Sequence, residues 1–282
     1  MTAIREIGSG TVLHQEDEAE LRFWHYPDKA LRRADLSGLY GNHWYLQFSD
    51  FTGSTFCGSV LQSLRADNCT FDHCDFTRCT MTGAELYQAK IREAILCRAV
   101  LDEAYCESAD FSGSDLRQVS ARDANLSFAL LEECDLRSAD LSGARLRPVG
   151  LERANFSRAR FEQTVISTMF SPGVDLSEAY FHQTLLYNCV GLHRARGLES
   201  IVHGAPSCLD YRTLVRSARY LPEVFLAGCG YSSAEIEGLR RHFDDRLAQQ
   251  LAAEEEHRWN LLQQSFEEER RWNLLQQSFA GG

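Results

Sequence analysis

A period of five, held without a slip from Ala34 to Leu186, constrains this chain more than any other feature. Centred on Leu36 and stepped by five, the sequence gives 31 positions, of which 26 are Leu, Phe, Ile or Met. The exceptions are Gly41, Ala66, Cys106, Ala121 and Ser171. Two residues before each centre stands Ala, Ser, Cys, Thr or Val in 27 of the 31, with Leu39, Trp44, Leu64 and Met169 departing. Five is neither the period of a helix nor that of a strand, and a short period held this long implies a solenoid. Five residues make one short extended side and one tight corner, so four sides close a square coil. Centres one coil apart then stack in ladders such as Leu36, Phe56, Phe76, Leu96, Leu116, Leu136, Phe156 and Leu176. The centre fills the axis of the tube, the small residue also points inward, and the other three positions face water.

Ala34-Asp35-Leu36, Ala109-Asp110-Phe111, Ala124-Asn125-Leu126, Ala139-Asp140-Leu141 and Ala154-Asn155-Phe156 carry the clearest copies of the unit. In these residues the chain resembles the pentapeptide-repeat family, whose consensus is Ala-(Asp/Asn)-Leu-x-x. The resemblance implies a right-handed quadrilateral parallel β-helix, an all-β solenoid, over residues 34–191. Nearly eight coils at ~4.8 Å each would make a rod of roughly 37 Å. Some members of that family resemble duplex DNA in shape and negative charge, bind DNA gyrase and protect it from quinolones. The coil here carries 21 Asp or Glu against 13 Arg or Lys, a sign that suits such mimicry. The interspersed basic residues weaken it, and the consensus itself puts Asp outside.

The whole chain has a formal net charge of −11, which argues against direct nucleic-acid binding. No apolar run is long enough for a membrane span, and no signal peptide is visible at the start. Six of the ten cysteines (Cys69, Cys74, Cys79, Cys106, Cys134, Cys189) stand at inward positions, where a small apolar residue is wanted. They read as free thiols in a reducing cytoplasm. Cys69, Cys74 and Cys79 fall on successive sides of the tube, which makes them packing residues and not metal ligands. His203, Cys208 and Asp210 lie close in sequence, but nothing in the pattern makes them a nucleophilic site. No phosphate-binding glycine loop or zinc motif is present. The expectation is a protein without enzymatic activity, cofactor or metal.

Residues 1–33 read as an N-terminal cap out of register with the coil, with Trp24 and Tyr26 in an apolar cluster and Trp44 where the tube opens. Solenoid ends expose core and strand edges, so a cap is required. Pro172 predicts a break near Phe170–Gly173. Residues 192–231 read as a helical connector: Asp210–Tyr220 has helical composition, and Pro222 opens a second short helix that ends at Gly228 or Gly230. Leu209-Asp210-Tyr211-Arg212-Thr213-Leu214 and Leu221-Pro222-Glu223-Val224-Phe225-Leu226-Ala227-Gly228-Cys229-Gly230 resemble the connector that follows pentapeptide repeats in bacterial proteins carrying a Toll/interleukin-receptor domain. That domain does not follow here, so only the context, bacterial defence-type signalling, is implied.

Residues 232–282 read as an amphipathic helical tail. Ser232 and Glu235 form a capping-box pattern, and Ile236, Leu239, Phe243, Leu247 and Leu251 make an apolar stripe suited to self-association. A segment of 13 residues, Glu254–Phe266, is then repeated as Glu267–Phe279 with His257 replaced by Arg270. Each copy holds Trp-x-x-Leu-x-x-x-Phe: Trp259, Leu262 and Phe266, then Trp272, Leu275 and Phe279. The triad lies on one helical face, the form used by helices that enter grooves. On one straight helix the second copy faces about 140° away from the first, so the two suit separate docking events and not one stripe. The expected role is a scaffold or adaptor that recruits a protein partner or assembles with itself through this tail. The rival is an acidic DNA mimic.

Overall fold

The structure is a computed structural model that describes residues 2–16 and 24–243. Its body is a square parallel β-helix whose sides pair with the sides 20 residues on, as Asp35, Thr55, Asp75, Ile95, Asp115, Asp135, Asn155 and Asp175 do in one ladder. Centres and small residues are buried along nearly the whole tube; Leu39 is half-buried, and beside Pro172 the phase slips by one, so that Thr168 and Phe170 are buried in place of Met169 and Ser171. The outer three positions are mostly exposed or half-buried. Stacked rings run up the axis, with Phe56 and Phe76 at 4.8 Å and Phe51 and Phe71 at 5.6 Å between centroids. Interiors filled this way gain about 1.5–3 kcal/mol per large apolar side chain.

Nearly every corner has its second residue in the left-handed region, whatever its identity; Pro148 and Thr168 are the exceptions. The other non-glycine corners have φ between 50° and 62°, and include Arg98, Glu103, Gln118 and Phe128. A side chain there costs about 1 kcal/mol or more over glycine, and the cost recurs at nearly every side. It persists because the stack over-determines the turn. The side around Asp115 shows how: the N–H of Asp115 donates to Ala94, that of Leu116 to Asp135, that of Gln118 to Arg137, and that of Val119 closes the turn on Leu116.

The coil begins earlier and ends later than the sequence period suggests. His25 pairs with Tyr45 and Ala30 with Asp50, so Tyr26 and Leu31 are already in the centre positions. The register of this first turn is hidden in the sequence because bulky Trp24 and Lys29 stand where small residues belong; no coil lies beneath them to crowd. The true N-terminal cap is a hairpin of β1 (Thr2–Glu6) and β2 (Val12–Glu16), with β1 antiparallel to β3 (Ala34–Asp35) and Ile4 buried against the tube. At the other end, Asp175 pairs with Arg196, Tyr180 with Val202, and Leu185 with Cys208. Residues 192–209 thus complete a last, longer turn instead of starting a separate module. Extra residues, with Gly191 and Gly197 in left-handed conformation, erase the period there without ending the stack.

Gly41 and Trp44 exchange roles. A Cβ on Gly41 would lie 2.0 Å from the Trp44 indole, and Trp44 is 0% exposed. The large ring enters from the position usually small, and the centre usually large is vacated for it. Trp24 closes over this pair, 5.0 Å from Trp44.

Three helices cover the C-terminal end: α1 (Tyr211–Ser217), α2 (Glu223–Gly228) and α3 (Ser233–His242). Asp210 caps α1 by accepting the Thr213 N–H at 2.9 Å. The expected capping box at α3 is present, with the Glu235 carboxylate accepting the Ser232 N–H at 2.8 Å. Leu214, Val215, Phe225 and Leu226 are buried, and Phe225 meets Phe181 of the coil edge-on at 6.4 Å. Restoring the consensus at one position alone, Gly41→Leu, is expected to destabilise the fold by about 1–3 kcal/mol through overpacking. Gly41→Leu combined with Trp44→Ala should recover most of that loss in thermal melts.

Candidate interaction surfaces

Most sides leave one backbone N–H without a backbone partner, that of the first corner residue; those of Ser167 and Tyr187 instead reach the Leu146 and Ile166 carbonyls. Asp or Asn just before the centre answers it. The Arg117 N–H donates to Asp115 at 3.1 Å, that of Thr77 to Asp75 at 2.8 Å, and that of Ser142 to Asp140 at 3.1 Å. Asn125 and Asn155 do the same for Ser127 and Ser157 without charge. Where that position holds Glu85, Lys90 or Ser120, an aspartate from the coil before takes over: Asp67 accepts from Tyr87, Asp72 from Arg92 and Asp102 from Arg122. Much of the acidic exterior therefore closes corners.

Arginines neutralise part of it, as in Arg117–Asp115 at 2.6 Å, Arg122–Asp140 at 2.7 Å, Arg153–Glu133 at 2.9 Å and Arg158–Glu178 at 2.9 Å. The hydrogen bond from Arg117 holds the Asp115 carboxyl below its usual range, against partial desolvation. Its stabilising effect is present above the unfolded carboxyl value and fades as pH falls through the lower folded one. Glu93, Glu132, Glu133 and Glu152 line a depression of about 560 Å³ together with Arg92, Ser112 and Gly113.

Inside the tube, polar small residues work between coils. The Ser114 hydroxyl donates to the Ile91 carbonyl at 2.6 Å and accepts the Ala94 N–H at 2.9 Å. It thus bridges the turn bond of the coil before; Ser54 and Ser59 do likewise. The Cys69, Cys74 and Cys134 thiols donate to Leu46, Phe51 and Phe111 carbonyls at 2.9, 3.0 and 2.9 Å. Burial pushes the Cys74, Cys106, Cys134 and Cys189 thiols up to about 12. No group of His, Cys, Asp or Glu suited to a metal ion occurs among the described residues.

His203, Cys208 and Asp210 do separate jobs. Asp210 caps α1 and accepts the Asn188 N–H at 2.9 Å. His203 lies between Phe181 and Phe225, with both ring nitrogens buried and unpartnered. Cys208 is exposed.

Of the expected self-association stripe, Ile236 is 1% exposed, Phe243 4%, and Leu239 packs against the same core. Ile236 and Phe243 therefore face the protein's own core, whereas Leu239 is half-buried. The helix also stops at His242, and Phe243 is extended at φ −94° and ψ 103°. Leu247, Leu251, Trp259, Leu262, Phe266, Trp272, Leu275 and Phe279 lie outside the described residues. Among the described residues, no helix is long and apolar enough to cross a membrane.

The sequence profile of pentapeptide repeats matches in eight copies, over residues 45–78, 79–118 and 119–158. The β-helix is a pentapeptide-repeat domain. Its geometry is that of the right-handed quadrilateral β-helix the resemblance implied. Among solved structures, the chain is similar to QnrB1, a plasmid-mediated fluoroquinolone resistance protein, at 18% identity over 74% of this chain and 97% of that one, TM-score 0.43. It is also similar to HetL, a pentapeptide repeat protein involved in heterocyst differentiation regulation from the cyanobacterium Nostoc sp. strain PCC 7120. There the identity is 24% over 66% and 86% of the two chains, TM-score 0.23. No curated protein matches the sequence.

Two outcomes follow from these surfaces. Asp115→Asn, which keeps the corner bond and drops the ion pair, should cost under ~1 kcal/mol near neutral pH and flatten the acid limb of the stability profile. Asp115→Ala, which loses both, should cost about 1–2 kcal/mol in thermal or denaturant melts. Ellman's reagent should modify exposed Cys208 first in native protein, whereas the buried repeat cysteines should react only after unfolding.

Proposed function

We propose that the protein is a non-catalytic scaffold or adaptor in which a rigid pentapeptide-repeat rod carries a helical tail that recruits a protein partner or another copy of the chain. The observation that best supports this is the anchoring of the C-terminal region. Leu214, Val215, Phe225, Leu226, Ile236 and Phe243 fasten the three helices to the last turn of the rod. Everything beyond Phe243 therefore departs from a fixed point, and the tandem copies Trp259/Leu262/Phe266 and Trp272/Leu275/Phe279 begin soon after it. Two motifs on one tether raise the effective concentration of the second once the first is engaged. The setting is a bacterial cytoplasm and defence-type signalling, by the likeness of the 209–230 connector, with any effector domain supplied by another chain.

The rival reading, an acidic rod standing in for DNA, draws support from the coil's excess of 21 acidic over 13 basic residues. The corner-closing aspartates and their arginine partners supply a structural reason for much of that charge.

Light scattering after size exclusion tests the proposal on full-length protein, on Trp259→Ala/Trp272→Ala, and on a chain ending at residue 243, which keeps Ile236 and Phe243. The full chain should associate with itself or with a captured partner, and both altered forms should lose that association. Identical monomers in all three, with no partner retained, would overturn the reading; gyrase binding that survives removal of the tail would favour the rival.

A further inference from the structure

Over five successive coils the rod is charged on three sides and uncharged on the fourth. The position just before each centre looks outward, and on the fourth side it reads Tyr40, Val60, Thr80, Val100 and Ser120. Each of the other sides carries charge there within the same coils, as at Asp75 and Asp115, at Asp50 and Lys90, and at Arg65 and Glu85. The fold does not explain the difference. Tyr40 and Val60 forgo the carboxylate that closes corners elsewhere. No acceptor among the described residues replaces it for the N–H groups of exposed Asn42 and Gln62. Tyr40 is 72% exposed, more than any other large apolar side chain among the described residues. Val60, Thr80 and Val100 continue it as a row of stiff branched side chains.

Charge returns at the two edges of this side, with opposite sign. Arg78 and Arg98 stand in the corner before it, and Glu103 stands in the corner after it, so that Arg98 and Glu103 flank Val100 in one coil. All three are exposed, and none has an ion-pair partner among the described residues. Arg98 donates to the Gln118 side-chain oxygen at 2.8 Å. Arg92, Arg117, Arg122, Arg137, Arg153 and Arg158, by contrast, are each paired within the chain.

We propose that two copies of the chain meet face to face on this side, with their rods parallel and a two-fold axis running along the rods between them. Such an axis sets Tyr40, Val60, Thr80 and Val100 each opposite its own counterpart, with the two sheets ~10 Å apart. It also lays the corner before the side on the corner after it of the other copy, at the same level. Arg98 of each copy then meets Glu103 of the other, and the contact occurs twice. Antiparallel rods centred on Val60 and Thr80 would set Arg78 and Arg98 against Gly58 and Gly38 and pair neither. A chain of net charge −11 repels its copies, and the contact lies where that repulsion is least. Beyond Ser120 the side carries Asp140 and Arg160, already neutralised within the chain by Arg122 and Glu162, and the match ends. The strip is ~24 Å long and one side of the tube wide, at the small end of specific interfaces, so the pair forms only at high protein concentration. It is independent of the tail. Parallel rods also bring both sets of C-terminal helices to one end, so that the two chains continue past Phe243 side by side.

Sedimentation equilibrium tests the pairing on the full-length chain carrying Trp259→Ala/Trp272→Ala, which removes association through the tail, from roughly 10 to 500 μM. A monomer–dimer equilibrium is expected. Adding Thr80→Lys, which sets like charges on the axis, should abolish the dimer and leave the melting midpoint unchanged, since Lys90 holds the equivalent position on another side. Arg98→Glu and Glu103→Arg should each weaken it about tenfold. An equal mixture of those two variants should pair at least as tightly as the parent, because both contacts are then Glu against Arg. Monomer throughout the range would overturn the proposal, as would a dimer that Thr80→Lys leaves intact. A mixture that pairs no better than either variant alone would overturn it too, since the parallel two-fold is what lays position 98 on position 103.

Discussion

One backbone N–H in five sets the character of this surface. In most sides four of the five donors find carbonyls in the stack or in the turn, and the fifth, on the first corner residue, does not. Buried or half-buried donors are answered in folded proteins, and here the answer is a carboxylate or carboxamide one position before the centre or one coil away. That explains why the exterior is rich in aspartate where the fold needs only a short acceptor. It also explains why asparagine serves at 125 and 155, and why arginine so often stands two positions on, over the carboxylate it neutralises. The charge of the rod is thus in large part a by-product of hydrogen bonding.

The same economy governs the inside. The axis admits one large and one small side chain per side, so any departure at one position must be balanced nearby. Gly41 and Trp44 are the clearest case: each breaks the pattern, and together they keep it. Serine at the small position is a second device. Ser54, Ser59 and Ser114 insert a hydroxyl into a turn bond of the preceding coil, keeping both its donor and its acceptor occupied. Cysteine makes the donor half of that bridge, the N–H groups of Ser49, Ser54 and Ser114 approach the Cys69, Cys74 and Cys134 sulfurs from the other side, and burial raises these thiols.

The period of five was sufficient to read most of the coil between Ala34 and Leu186, because its cause is local; beside Pro172 it misplaces the core by one residue, since Thr168 and Phe170 point inward where Met169 and Ser171 were expected. It failed at both ends for physical reasons. Trp24 and Lys29 occupy small positions where no coil lies beneath, so the first turn looked like a cap. Residues 192–209 gained a few residues around Gly191 and Gly197, so a real last turn looked like a linker. The apolar stripe of α3 was legible as a stripe, but spacing alone does not say which surface it meets. Ile236 and Phe243 meet their own chain because the coil end needs covering, a demand set by the fold's topology and not by the helix. The aromatic corners at 48, 87 and 128 were in plain view in the sequence and passed unnoticed, since corner positions tolerate any residue. Only the left-handed backbone beneath Phe48 and Phe128 makes their choice costly.

That cost separates residues that the fold explains from residues that it does not. A corner tolerates glycine, asparagine or serine cheaply, and the stack forces the turn regardless of what is placed there. Filling the tube accounts for Leu, Phe and Ala inside, and closing the corner accounts for Asp and Asn outside. Neither accounts for a phenylalanine in a left-handed, partly exposed corner, nor for its return on the same edge at a spacing of whole coils. In a solenoid every edge is a ruler marked at ~4.8 Å, and a helix laid along it is a second ruler marked at ~1.5 Å per residue. Residues on the two can meet repeatedly only where multiples coincide, as three residues against one coil (~4.5 against ~4.8 Å) and seven against two (~10.5 against ~9.6 Å) nearly do.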